Sequence, residues 1–184
     1  MNAGLISSRY ARALYRFAAE RGTEERVYEE MLFFRDTFAA FSSRFRVVFG
    51  SRGIAPDKKL EMIRTAAGGE TSDEFLRFAK LVLAHRRESL LEFMALQYIE
   101  LYRRMRRIRV FTVTTAVPLE RETEERIRAV LSQGAEGPVE IVWKEDPSVR
   151  GGFVLDTESF RLDASIAGRL QRLKKALSEG TLTL

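Results

Sequence analysis

Cysteine is absent from the 184-residue chain, which excludes disulfides, thiolate zinc sites, iron–sulfur clusters and cysteine nucleophiles together. Histidine occurs once, as His85, which excludes a multi-histidine metal centre and leaves little for imidazole acid–base chemistry. No apolar run exceeds four residues, so neither a membrane span nor a signal-peptide core is expected. What remains is an ordinary apolar share of 45% beside a raised charged share of 31%, a balance that suits exposed helices. A chain of this length buries roughly 70% of its unfolded surface on folding and needs no covalent staples. The composition points away from an enzyme and toward a soluble, charged, helix-rich interaction protein.

Charge has little asymmetry. Thirty-one basic residues face 26 acidic ones, a net +5. One cluster stands out: Arg103, Arg104, Arg106, Arg107 and Arg109. Its charge suits a phosphate backbone, and a basic helical adaptor for nucleic acid is the alternative reading of the chain. Arginines also offset the negative dipole end of a helix, and Glu100 precedes Arg103 and Arg104 by one turn. Near the N-terminus, Arg9, Arg12 and Arg16 precede any acidic residue, a superficial likeness to an organelle transit peptide. However, Tyr10, Ala13, Leu14 and Phe17 recur at i, i+3, i+4 and i+7. This spacing predicts a retained amphipathic helix with these four as its core stripe.

The first hundred residues predict consecutive helices with short breaks. One covers about 8–20 and stops at Gly22; the next starts with Thr23 as N-cap and carries Val27, Met31, Phe34, Phe38 and Phe41 as its stripe. A short piece runs from Phe45 to Phe49. Pro56 opens another helix, whose inner face is Leu60, Ile63 and Ala67 and which ends at Gly68-Gly69. Thr71 and Glu74 predict a capping box for a helix with the stripe Phe75, Phe78, Ala79 and Val82. A long helix over about 88–106 repeats Leu91, Met94, Ala95, Tyr98, Ile99 and Tyr102. Six such segments predict a helical bundle over residues 1–106.

After Arg107 the period changes. Val110 to Val117 is rich in β-branched residues, Glu120 to Ser132 is helical with Glu122–Arg126 and Glu124–Arg128 pairs, and Val139, Ile141 and Trp143 alternate with Glu140, Val142 and Lys144. Asp146-Pro147 marks a turn; Phe153 to Leu155 and Phe160 to Asp163 are short strands. A final helix carries Ile166, Leu170, Leu173 and Leu177. The fold class is therefore mainly α: a six-helix N-terminal bundle, then a small α+β domain over 107–184.

The chemistry-bearing candidates dissolve one by one. Gly151-Gly152 lacks the Gly-Lys-Ser/Thr ending of a phosphate loop and enters a strand, so a bend between strands is expected. The adjacent acids Glu24/Glu25 and Glu124/Glu125 point about 100° apart on a helix and belong to its positive first turn. His85 reads as a surface or capping histidine, Trp143 as strand packing, and Ser89 and Ser165 have no identifiable base. No catalytic, cofactor or metal residue is assigned. Surfaces remain. Ala11, Ala13, Ala18 and Ala19 leave room beside the first helix for another helix, so the same apolar residues suit either a bundle core or a groove for an amphipathic partner.

Ordered motifs carry a resemblance. Ser8-Arg9-Tyr10-Ala11-Arg12-Ala13-Leu14-Tyr15-Arg16-Phe17-Ala18 opens the chain; Pro56 is followed by Lys59 and Ile63; then come Phe75, Leu83, Arg86-Arg87 and Leu91. Val113-Thr114-Thr115-Ala116-Val117-Pro118-Leu119 begins the second module. Asp146-Pro147-Ser148-Val149-Arg150-Gly151-Gly152-Phe153, followed by Leu162-Asp163-Ala164-Ser165-Ile166, is the most specific piece. Together, from about Ser8 to Leu177, the chain resembles the delta subunit family of F-type ATP synthase, related to the mitochondrial oligomycin-sensitivity-conferring protein. Arg150 stands where that family usually has an apolar residue.

The resemblance implies a non-catalytic stator subunit that couples proton-driven rotation to ATP synthesis. It implies that the N-terminal bundle binds the N-terminal helix of a catalytic-head alpha subunit between its first and fifth helices. The residues implied for that groove are Tyr10, Ala13, Leu14 and Phe17, with Phe75, Phe78, Ala79 and Val82. The C-terminal domain is expected to bind the b subunit of the peripheral stalk. No cofactor, small-molecule substrate or nucleic acid is implied. Membrane association would come only through the complex, on the cytoplasmic face of the bacterial inner membrane.

Overall fold

The structure is a computed structural model that describes residues 3–51, 53–134 and 137–178. The chain is mainly helical with a small four-stranded sheet toward its C-terminus, and it divides into two compact units, Met1–Met105 and Arg106–Leu184.

The N-terminal unit holds α1 (Ala3–Ala19), α2 (Glu24–Ala40), α3 (Ser42–Gly50), α4 (Pro56–Ala66), α5 (Asp73–Ala84), a single 3-10 turn at Glu88–Leu90, and α6 (Leu91–Arg106). The stripes of α2 and α6 converge on one core: Val27, Met31, Phe34 and Phe38 with Met94, Ala95, Tyr98, Ile99 and Tyr102 are all buried. Phe38 stacks on Phe45 of α3 at 5.2 Å, and Tyr28 on Tyr102 at 4.2 Å. The Tyr98 hydroxyl donates to the Glu24 carbonyl at 3.0 Å, and burial pushes its pKa above the ordinary phenol value.

Several local expectations are corrected. The buried face of α1 is Ser7, Ala11, Leu14 and Ala18, so of the expected core stripe only Leu14 is in the core. Small residues let α1 approach its neighbours closely, which turns the larger Tyr10 and Phe17 toward the surface. Phe41 does not extend the α2 stripe; it ends the helix and is exposed. Thr23 makes no side-chain cap, and its hydroxyl donates to the Ala18 carbonyl instead. The cap of α5 is Ser72, whose Oγ accepts from the Phe75 N–H at 3.2 Å, one residue beyond the expected Thr71. Glu74 is drawn off into an ion pair with Arg21 at 3.2 Å.

In the C-terminal unit the strand order is β2-β1-β3-β4. β1 (Arg109–Thr115) and β2 (Val139–Glu145) are parallel, and the crossover that parallel pairing requires is α7 (Arg121–Gln133). β3 (Phe153–Asp156) and β4 (Arg161–Asp163) follow as antiparallel neighbours. α8 (Ile166–Ser178) closes the unit. Phe111, Val113 and Leu155 form the core, with Ile127, Leu131, Val139, Ile141 and Trp143 packed against it. On α7 the pairs formed are Arg126–Glu122 and Arg121–Glu125; Glu124 and Arg128 make none among the described residues. Ile166 and Leu170 of α8 are exposed, and the side chains of Leu173 and Leu177 lie outside the described ones.

The segment between β2 and β3 explains its own composition. Asp146 accepts from the Ser148 N–H at 2.8 Å and sets a 3-10 turn over Pro147–Val149. The chain then turns left-handed through Arg150, Gly151 and Gly152, at φ of 56°, 116° and 73°. A Cβ on Gly152 would strike the Ala164 carbonyl oxygen, so glycine is required there on two counts. Arg150 is exposed and keeps its charge in solvent.

Asp163 plays the matching role after β4. Its carboxylate accepts from the Ser165 hydroxyl and from the Ser165 N–H at 2.9 Å, and these bonds hold its pKa below the usual carboxylate range. Hydrogen bonds to Ser148 act on Asp146 in the same direction. A folded pKa below the unfolded one stabilises above the unfolded value, and that stabilisation is lost as pH falls through the folded one. The C-terminal unit is therefore expected to lose stability on acidification below about pH 4. Urea melts between pH 7 and pH 3 should show a shallower acid loss in Asp163→Asn than in the parent. Equal slopes would remove Asp163 as a contributor.

Candidate partner-binding groove

α1 and α5 run antiparallel. At one end Tyr10 meets His85, just past the end of α5; at the other Arg21, just past the end of α1, meets Glu74. Between them lies an open groove of about 510 Å³. Arg9, Tyr10, Ala13, Leu14 and Phe17 form the α1 wall, and Glu74, Arg77, Phe78 and Leu81 the α5 wall.

Of the residues expected at this groove, Tyr10, Ala13, Leu14, Phe17 and Phe78 do line it. Phe75, Ala79 and Val82 do not; they are 1%, 0% and 0% exposed and belong to the bundle core. The reason is helical phase. Positions 75, 79 and 82 share one face of α5, while 74, 77, 78 and 81 share the adjacent one. Leu81, 47% exposed, is the apolar residue that sequence reasoning missed. Its signal was present, since it follows Phe78 by three residues. Arg9, Glu74 and Arg77 are the missed polar members.

Leu14 and Phe78 are nearly buried and form the floor, whereas Ala13 is exposed and leaves open space above it. At one end the Tyr10 ring meets Phe78 edge-on at 6.3 Å. The Tyr10 oxygen accepts from Arg87 Nη1 at 3.1 Å. The same oxygen lies 2.8 Å from His85 Nδ1, in a hydrogen bond whose donor is set by the imidazole tautomer. At the other end the Phe17 ring lies beneath the Arg21 guanidinium at 4.5 Å, with Arg77 at 5.9 Å. Both aromatic walls are thus pinned before any partner arrives, which lowers the ordering cost of binding. An apolar floor, a bare alanine and two fixed aromatic rings suit the packing of a helix.

Elsewhere, the arginine cluster makes contacts within the chain: Arg103 Nε donates to the Tyr28 hydroxyl at 2.9 Å, and Arg104 pairs with Glu100 at 2.6 Å. No group of three or more His, Cys, Asp and Glu side chains among the described residues is placed to hold a metal ion. Among them, too, no helix is long and apolar enough to cross a membrane. In the C-terminal unit Phe153, Phe160, Leu162, Ile166 and Leu170 remain substantially exposed.

Comparison with known proteins agrees with this architecture. A solved chain from the Toxoplasma gondii mitochondrial ATP synthase hexamer superposes with a TM-score of 0.65 at 24% identity, covering 93% of this chain and 96% of that one, and so shares the fold. ATP synthase subunit delta of Bacteroides fragilis is 43% identical over 177 residues, covering 95% of both chains. The protein of the same name from Bacteroides thetaiotaomicron is 42% identical over 183 residues, again covering 95% of each. The sequence model of the family described as ATP synthase delta (OSCP) subunit matches residues 6–177. With this match and these relatives spanning nearly its whole length, the chain belongs to the ATP synthase delta (OSCP) subunit family.

Proposed function

We propose that this chain is a non-catalytic stator subunit that joins the catalytic head of an F-type ATP synthase to its peripheral stalk. In this reading the groove between α1 and α5 takes the N-terminal amphipathic helix of an alpha subunit. The C-terminal unit engages the b subunit, and its exposed Phe153, Leu162 and Ile166 are the apolar surface such a contact would cover. The protein then sits peripherally on the cytoplasmic face of the bacterial inner membrane, held there only by the complex. No cofactor or small-molecule substrate enters the reading. Nothing observed favours the nucleic-acid alternative, since four of the five arginines that suggested it, Arg103, Arg104, Arg106 and Arg109, interact within the chain.

The carrying observation is the open apolar groove itself. A stator has to resist rotor torque, which calls for slow dissociation. A nanomolar contact of about 12 kcal/mol is within reach of a helix packed against Leu14, Phe17, Phe78 and Leu81. The test is an NMR titration of the full chain with a synthetic peptide copying the alpha subunit's N-terminal helix. Amide shifts are expected at Tyr10, Leu14 and Phe78 and none at Val113 of the sheet. An unchanged spectrum at the first three ends the groove assignment.

A further inference from the structure

The floor of the groove is apolar, but its rim carries one sign of charge. α1 holds Arg9, Arg12 and Arg16 and no carboxylate. Arg9 lines the groove beside Tyr10, and Arg77 lines it from the opposite wall beside Phe17. Both are exposed, and neither has an ion-pair partner among the described residues. The one carboxylate lining the groove, Glu74, is buried and neutralised by Arg21. An occupant therefore meets two uncompensated guanidiniums, set diagonally across the cleft near its two ends.

We infer that the rim selects its partner by charge, so that the docked helix carries carboxylates on opposite flanks of its apolar stripe, about two turns apart. This rests on the groove reading above and adds the chemistry of the partner's flanks. Cationic flanks face like charge across the rim and are excluded. Arg9 and Arg77 act mainly in steering and discrimination, while the apolar floor supplies the bulk of the affinity.

The experiment uses the full chain and two synthetic helical peptides with the same leucine and alanine stripe, one flanked by glutamates and one by lysines. At low salt the glutamate peptide should bind about tenfold more tightly, and the margin should shrink to about twofold in half-molar salt, where charges beyond a few ångströms are screened. The double variant Arg9→Glu, Arg77→Glu, with its circular dichroism unchanged, should invert the preference. Equal affinities at all salts, or tighter binding of the lysine peptide to the parent, overturn the inference while leaving the groove intact if Leu14 and Phe78 still shift. Silence at Leu14 and Phe78 with both peptides overturns the inference and the groove reading together. Sedimentation of the free chain covers the remaining occupant: a dimer that the glutamate peptide fails to dissolve also overturns it.

Discussion

Ala13→Trp is expected to abolish capture of the proposed partner, the alpha-subunit helix, while the protein stays folded. Ala13 is exposed on α1 and lines the groove, with open space above it. An indole there occupies the volume that the partner's side chains need. Because the ring projects from a surface helix into a cleft and not into the core, overpacking strain is avoided. The expected loss is at least a hundredfold in Kd, about 2.7 kcal/mol, as for removal of a hot-spot contact. Stability to urea should move by no more than about 0.5 kcal/mol, the range of surface substitutions. Isothermal titration of parent and variant with the alpha-subunit peptide checks the first figure, and urea melts the second. A variant that binds as tightly as the parent would mean that the helix docks elsewhere.

The same substitution separates what periodicity revealed about α1 from what it could not. The recurrence of Tyr10, Ala13, Leu14 and Phe17 identified the helix and its apolar side. It could not say which of two overlapping apolar faces is buried. The face chosen by packing is Ser7, Ala11, Leu14 and Ala18. Hydrophobicity alone ranks Tyr and Phe above Ser and Ala, so the wrong face was expected inside. Close helix approach rewards small residues, and that term is invisible without the neighbouring helix. α5 repeats the lesson in reverse. There Phe75, Ala79 and Val82 are truly core, and the groove face is Phe78 with Leu81, offset by about 100°.

The C-terminal unit was easier to read because its signals are local. A strand, a helix and then a second strand were each legible, while the parallel pairing of the two strands across that helix is a finding of the structure. Gly151-Gly152 was legible as a bend because the pair enters a strand and lacks the ending of a phosphate loop, and glycine readily takes the positive φ found at both positions. The ion pair of buried Lys59 with Glu88 at 2.6 Å was not legible, because its partners are brought together only by the packed bundle. Nor was the true start of α5. Thr71 and Ser72 are both acceptable caps, and the choice between them depends on a carboxylate 42 residues upstream.

That carboxylate, Glu30, carries the largest expected effect on stability. It is 3% exposed on α2, yet it makes three hydrogen bonds. Oε1 accepts from the Ser72 N–H at 2.6 Å and from Arg26 Nε at 3.2 Å, and Oε2 accepts from the Ser72 hydroxyl at 2.8 Å. Ser72 Oγ in turn accepts from the Phe75 N–H, so the start of α5 hangs from α2 through one buried anion. Glu30→Ala leaves the half-buried Ser72 N–H without its carboxylate acceptor and removes Arg26's partner on its own helix. The expected cost is about 3 kcal/mol, at the upper end for hydrogen bonds to a charged group. Glu30→Gln keeps the shape and one acceptor, but its amide NH₂ faces a donor, so it should lose about half as much. Urea denaturation orders the three proteins. Hydrogen exchange at Phe75 should quicken in both variants, since fraying begins at the unsupported end of α5. Because Glu74, Arg77 and Phe78 form one groove wall on that same first turn and a half, the alpha-subunit peptide should bind the variants more weakly, although Glu30 touches no groove residue except through Ser72. Unaltered peptide affinity beside a destabilised α5 would show that the wall is held by α1 alone.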